Sequence, residues 1–263
     1  MIRLLDPETI GQIAAGEVIE RPLSVVKELV ENALDADANR IAVRVRGGGL
    51  VEIEVADDGV GIAPDDLPLA LMRHATSKIA NARGLTHVDT LGFRGEGLAS
   101  IAAVARVTIV SRTADAEVAT AIDAHGEEIG EPRPMAGPPG TRAIVRDLFA
   151  NVPVRREYLR SPAAEFTRIA SWLATLALAY PLVAFTLEHD GKPVFAFPLG
   201  EDLAPRLRHV FGASAASMVG VHGDQRGVRA RGYVSPPGDD RPDRRSQILF
   251  VNGRLLRSTL VSG

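Results

Sequence analysis

Apolar residues near the start of the chain recur with the helical period. Val25, Val26, Leu29, Val30, Ala33 and Leu34 fall on one side of a helix that Ser24 can cap and that runs to about Ala36. Glu28, Asn32 and Asp35 occupy the other side. The period then shortens to two: residues 41–45 and 51–55 alternate as strands, and Gly47, Gly48 and Gly49 between them predict an antiparallel hairpin. The second strand runs into Asp57-Asp58-Gly59-Val60-Gly61. Residues 65–74 read as a helix, 76–98 as a glycine-containing loop region, and 98–104 as a helix that starts directly after those glycines. Further strands are expected at 107–111, 119–124 and 141–148, the last entered through a turn-rich connection over 132–140. The stretch 169–183 reads as a buried helix, because Ser171, Trp172, Thr175, Tyr180 and Pro181 make it too short and too polar for a membrane span. Helices followed by antiparallel strands predict an α+β sandwich with helices on one sheet face, not a doubly wound fold.

A boundary is expected near 198–205, after a strand at 193–197 and before a fresh helix-plus-strand series that includes 228–234 and 247–252. This divides the chain into 1–200 and 201–263, which suits 263 residues better than one domain does. With 46 % hydrophobic and 24 % charged residues, the composition excludes a disordered or membrane-embedded chain. A net charge of -3 gives no whole-surface basic field, so any contact with DNA must be local or arise in an assembly. The absence of cysteine excludes disulfides and thiolate metal sites, and residues 1–7 lack the apolar core of a signal peptide. A cytoplasmic protein without a membrane partner is expected.

Three segments can carry chemistry. Glu28 and Asn32 stand four apart, hence about 6 Å apart at Cβ on one helical face, with Asp35 on the same side. A carboxylate there can take a proton from an attacking water, and a neutral amide oxygen can ligate Mg²⁺ without adding negative charge beside a triphosphate. The same spacing also describes an ordinary solvated helix face. In Asp57-Asp58-Gly59-Val60-Gly61, Asp57 can accept from an exocyclic amine while the glycines let a ring approach the backbone; a tight turn is the alternative. Gly92-Phe93-Arg94-Gly95-Glu96-Gly97-Leu98 places three glycines before a helix, where backbone N–H groups can hold phosphate oxygens, or where a flexible connection simply ends. Its spacing matches neither the P-loop nor the dinucleotide fingerprint. Lys78 lies where a cation could reach a phosphate.

Taken in order, Gln12-Ile13-Ala14-Ala15-Gly16-Glu17-Val18, Glu28-Leu29-Val30-Glu31-Asn32-Ala33-Leu34-Asp35-Ala36, Asp57-Asp58-Gly59-Val60-Gly61, Arg73-His74-Ala75-Thr76-Ser77-Lys78-Ile79 and Gly92-Phe93-Arg94-Gly95-Glu96 resemble the MutL-type mismatch-repair family. The set is similar more broadly to the GHKL ATPases, which include gyrase-type topoisomerases, Hsp90 chaperones and histidine kinases. The likeness continues through Pro139-Gly140-Thr141 and Asn151 to Arg156, and on to Phe250-Val251-Asn252-Gly253-Arg254.

The resemblance implies a Bergerat-type two-layer α/β sandwich with a mixed, mainly antiparallel sheet in 1–200. It implies part of a transducer-like (ribosomal-protein-like) α+β domain in 201–263. Carried onto these residues, Glu28 is the general base, Asn32 the Mg²⁺ ligand and Asp57 the adenine-reading carboxylate. Gly59 and Gly61 lie beside the base, Lys78 and the loop Gly92, Phe93, Arg94, Gly95, Glu96, Gly97 and Leu98 contact phosphates and form a lid, and Thr141 completes the site. The resemblance further implies slow ATP hydrolysis and an ATP-dependent N-terminal dimer of the chain with itself. It also implies partnership with MutS, with DNA, and with a downstream nicking endonuclease and helicase. Arg254 and Arg257 are candidate DNA contacts, with solvated loop arginines as the alternative.

Departures from the family pattern sharpen these expectations. Gly97 stands where the family usually has Ala, which loosens the start of the lid helix by up to about 1 kcal/mol. Val152 replaces a usual Thr and Val154 a usual Ala, which touches packing after Phe149. The family's second domain continues past Gly263 and supplies a further lysine to the γ-phosphate, so a nucleotide-binding scaffold without turnover is the alternative function.

Overall fold

The computed structural model describes residues 11, 15–16, 18–73, 75, 96–200, 202–239 and 246–256. Helix α1 is Pro22–Asp35, preceded by Arg21 in extended conformation. Its start corrects the Ser24 expectation. Proline at the first helical position carries the right φ and gives up an N–H that would be unpaired there anyway, so Ser24 falls inside the first turn. Its Oγ instead accepts the Glu20 N–H at 3.4 Å. Val25, Val26, Leu29, Val30 and Ala33 of the periodic face are buried together with Pro22, while Leu34 is half-buried.

Strands β1 (Arg40–Arg46) and β2 (Glu52–Asp57) form the expected hairpin. Gly47–Gly49 between them make a 3-10 turn in which all three φ values are positive. After a 3-10 turn at Pro64–Asp66, helix α2 is only Leu67–Ala70, shorter than the helix expected over 65–74. Helix α3 is Gly97–Val104 and leads into β3 (Arg106–Arg112), β4 (Ala119–His125), β5 (Glu128–Ile129), β6 (Arg133–Met135) and β7 (Gly140–Arg146). The connection 132–140 thus contains a short exposed strand, β6, paired with β4; Pro134 is tolerated there because an edge position does not need its N–H. Helices α4 (Pro153–Glu157) and α5 (Pro162–Ala179) follow, then β8 (Ala184–His189) and β9 (Lys192–Phe197). The buried helix expected over 169–183 is therefore the later part of α5, which begins earlier and stops before Pro181.

The chain divides into two compact units, Met1–Ala170 with Leu182–Leu199, and Ser171–Pro181 with Gly200–Gly263. In the first, the sheet order is β5-β4-β3-β7-β2-β1-β8-β9, with β6 also on β4. Among the described residues, only β1 and β8 pair in parallel, so the sheet is mixed and mainly antiparallel. Helix α1 packs on β1 and β2, and α3 packs on β3 and β4. Register then fixes the core. Ile53, Val145 and Val107 lie across from one another on β2, β7 and β3, and Val55, Ala143 and Ile109 form the next rung. All are buried. One step further the same face ends in Asp57, Thr141 and Ser111, a polar rung in line with the apolar ones. On the other face Arg44–Glu54, Arg46–Glu52 and Arg146–Glu52 pair across strands, exposed ion pairs typical of a solvated surface.

The second unit contains the 171–179 end of α5 with Tyr180 and Pro181, helix α6 (Ala204–Phe211), the hairpin β10 (Val219–Gln225) with β11 (Val228–Val234), and the hairpin β12 (Leu249–Val251) with β13 (Arg254–Leu256). Arg206, buried, donates to the carbonyls of Ala177, Tyr180 and Pro181, while the Tyr180 hydroxyl donates to the Gly253 carbonyl at 3.2 Å. Among the described residues, no helix is long and apolar enough to cross a membrane.

Candidate functional site

The polar rung is built by strand ends. Asp57 terminates β2, half-buried, and its Oδ1 accepts two backbone N–H groups, Gly59 at 2.9 Å and Thr141 at 3.2 Å. No described protein group donates to its Oδ2. Burial is the main influence on this carboxyl and raises its pKa, the Gly59 and Thr141 amides oppose the rise, and neighbouring Asp58 adds to it. Gly140, at φ 110°, lets β7 start against Asp57, because a Cβ there would run into the Asp57 carbonyl.

Ser111 ties the rung together. Its buried Oγ accepts the Ile62 N–H at 2.8 Å, lies 2.8 Å from the Thr141 Oγ1 and donates to the Gly140 carbonyl at 3.1 Å. Sequence reading missed it. The available signal was a serine at a core-facing position of a strand, which required a partner somewhere. Asp58 takes a different role from Asp57: its Oδ1 accepts the Asn39 and Arg40 amides at 2.8 and 2.7 Å, which fixes the turn between α1 and β1.

The turn after Asp57 then meets the end of α1. Val60 N–H donates to the Ala36 carbonyl at 3.0 Å, and a Cβ on Gly59 would stand 2.6 Å from that oxygen. Gly61, at φ 75°, passes so close to the end of β3 that a Cβ would stand 2.6 Å from the Arg112 carbonyl carbon. Asn32 and Glu28 lie one and two turns up α1 from Ala36, roughly 6 and 12 Å along the axis. They are joined: Asn32 Nδ2 donates to Glu28 Oε1 at 3.4 Å. Glu28 in turn lies against Gly97, where α3 begins, and Glu96 and Leu98 flank that point.

The structure therefore brings Asp57, Gly59, Gly61 and Thr141 together at the sheet end, and Glu28, Asn32 and Gly97 together along α1. Lys78, Gly92, Phe93, Arg94, Gly95 and Arg257 lie outside the described residues. Arg254 is exposed at the start of β13 in the second unit. Asn32 offers one neutral amide, which fits a Mg²⁺ ion that takes most of its shell from phosphate and water.

Residues 20–131 match the family model described as histidine kinase-, DNA gyrase B-, and HSP90-like ATPase. The fold and this match define the class, a GHKL-type ATPase domain. Two named relatives extend the likeness over nearly the whole chain. The DNA mismatch repair protein MutL of Desulforudis audaxviator is 49 % identical over 258 residues, 98 % of this chain and 46 % of that protein. The protein of the same name from Xanthomonas oryzae pv. oryzae is 48 % identical over 263 residues, 99 % of this chain and 42 % of that protein. Over nearly its whole length the chain is a homologue of these MutL proteins. It spans less than half the length of these relatives. Among solved structures, the Aquifex aeolicus MutL ATPase domain complexed with ADP has a TM-score of 0.71 at 29 % identity, covering 93 % of this chain and 86 % of that one. A structure of the N-terminal domain of a DNA repair protein has a TM-score of 0.80 at 27 % identity, covering 96 % and 80 %.

Proposed function

We propose that the protein binds ATP with Mg²⁺ between α1 and the polar rung and hydrolyses it slowly. Binding would drive a conformational change and self-dimerisation that couple mismatch recognition by MutS to a downstream nicking endonuclease and helicase. The observation that carries the reading is Asp57, whose Oδ1 is engaged by two amides while Oδ2 remains to accept an exocyclic amine, with Gly59 and Gly61 leaving room for a ring. The ADP complex of the Aquifex aeolicus domain supports placing a nucleotide there. Bound Mg²⁺, held by Asn32 and phosphate oxygens, would supply charge neutralisation. Glu28 takes a proton from the attacking water, whose oxygen bonds to the γ-phosphorus as the bond to the ADP oxygen breaks, giving ADP and phosphate. Lys78 and the segment 92–98 contact phosphates, Thr141 closes the adenine side, and 201–263 is a transducer-like domain. Arg254 and Arg257 are offered to DNA phosphates.

ATP binding and turnover measured beside Glu28→Ala and Asp57→Asn test this, with mass determined in a non-hydrolysable analogue. Asp57→Asn sets an amide against the exocyclic amine and should weaken binding by about 10- to 100-fold. Glu28→Ala should retain binding and reduce turnover by about 10²- to 10⁴-fold. Binding without turnover in the unmodified chain would support the scaffold function instead, and turnover that survives Glu28→Ala would remove the base assignment.

A further inference from the structure

Gly97 opens α3 against Glu28. A Cβ at this position would overlap the Glu28 carboxylate and stand 2.6 Å from its Cγ. Neither helix is placed to retreat. Ala99, Ile101, Ala102, Ala103 and Val104 of α3 are buried. Its last carbonyls are also held from outside: Ala102 accepts the Gly126 N–H at 2.8 Å, Ala103 the Asn151 Nδ2 at 2.9 Å, and Val104 the Phe149 N–H at 2.8 Å. Phe149 adopts φ 61° to do so, a conformation that a bulky residue keeps only where its surroundings enforce it. Helix α1 is fixed in the same way by its buried face. What the added methyl group meets is the Glu28 side chain, which has three torsions and is also held by Asn32 Nδ2 at 3.4 Å.

We propose that Gly97 is a positioning residue for Glu28. Its missing side chain leaves a seat at the first turn of α3 where the carboxylate rests, and turnover requires Glu28 to leave that seat. The proposal rests on the reading of Glu28 as the base. A carboxylate beside the first turn of a helix is favoured by the helix's amide ends, which corresponds to about two- to fivefold in population. Filling the seat should remove that contribution and leave the Asn32 hydrogen bond in place.

Gly97→Ala is the test, with ¹³C-labelled glutamate and the Glu28 carboxyl resonance assigned by its loss in Glu28→Ala. The expected result is a shifted Glu28 resonance in the chain without nucleotide, and a kcat raised about two- to fivefold with KM for ATP unchanged. An unmoved resonance overturns the proposal, as does a moved resonance with kcat unchanged or reduced. Loss of the fold also overturns it, because the helices and not the Glu28 side chain would then have absorbed the methyl group. A moved resonance in a chain whose turnover does not depend on Glu28 would leave the seat standing and remove the base assignment.

Discussion

Asp57 in the first unit and Arg206 in the second are charged side chains drawn away from solvent, and they are used in opposite ways. Asp57, half-buried in the first unit, gives one oxygen to the Gly59 and Thr141 amides, while the other accepts from no described protein group. Arg206, buried in the second, donates at 2.5, 2.8 and 3.2 Å to three carbonyls at the end of α5 and just beyond it. A charge whose hydrogen-bonding capacity is consumed within the chain holds structure together. One that keeps an oxygen in reserve has something to give a ligand. Burial alone does not separate these roles; the count of partners does.

The comparison predicts that Arg206 matters to folding and not to nucleotide. Burial lowers its pKa, yet a guanidinium remains charged, so its loss removes a cation from a helix C-terminal end. Arg206→Met strands three carbonyls and should lower the stability of the second unit by about 2–3 kcal/mol. Trp172, the single tryptophan, lies on the part of α5 in this unit and reports the loss as a shifted fluorescence unfolding midpoint. Nucleotide affinity should stay as it was. An equal fall in affinity would break the comparison.

Ser111→Ala addresses the rung itself and should have a smaller effect. The hydroxyl serves Ile62, Thr141 and Gly140 together, so its removal leaves the Ile62 N–H without its partner. A loss of about 1–2 kcal/mol in denaturant unfolding is expected. Nucleotide binding should fall only a few-fold, because Asp57 keeps both of its amides.

Ser111 also marks the limit of what the sequence made legible. The apolar face of α1, the β1–β2 hairpin and the placement of Asp57 at a strand end follow from periodicity, which is local. The partners of Ser111 come from residues 49 and 30 positions away: the β3–β7 register brings Thr141 there, and the close passage of Gly61 along the end of β3 brings Ile62. Arg206 was hidden for the same reason: its three acceptors are 25–29 residues upstream, at the end of α5 and just past it, in a stretch that the sequence reads as one helix to 183 within 1–200. The Ser24 cap failed differently, because Pro22 is the stronger local signal for a helix start. In the second unit alternation and burial part company. Along β10 and β11 one face carries Val219, Val221, Val228 and Val234, yet all four are exposed. Alternation selects a face, but burial requires an element to cover it.

The smallest expected effect concerns the sign of the Asp57 charge. Burial raises this carboxyl above its ordinary value against the pull of two amides. A carboxyl raised in the folded state binds its proton more tightly there than in the unfolded chain. Its contribution to stability is therefore present below the unfolded value and is lost as pH rises through the folded one. Asp57→Asn keeps an oxygen for the Gly59 and Thr141 amides and removes the ionisation. Without nucleotide, the variant should match the unmodified chain in acid and become the more stable of the two as pH rises towards neutrality. Partial exposure screens the carboxylate, so the gain should be below that of the other two changes. Unfolding midpoints at acidic and neutral pH measure it. A difference that does not vary with pH would mean that Asp57 is as fully satisfied within the chain as Arg206, and the reserve oxygen would then have no energetic signature.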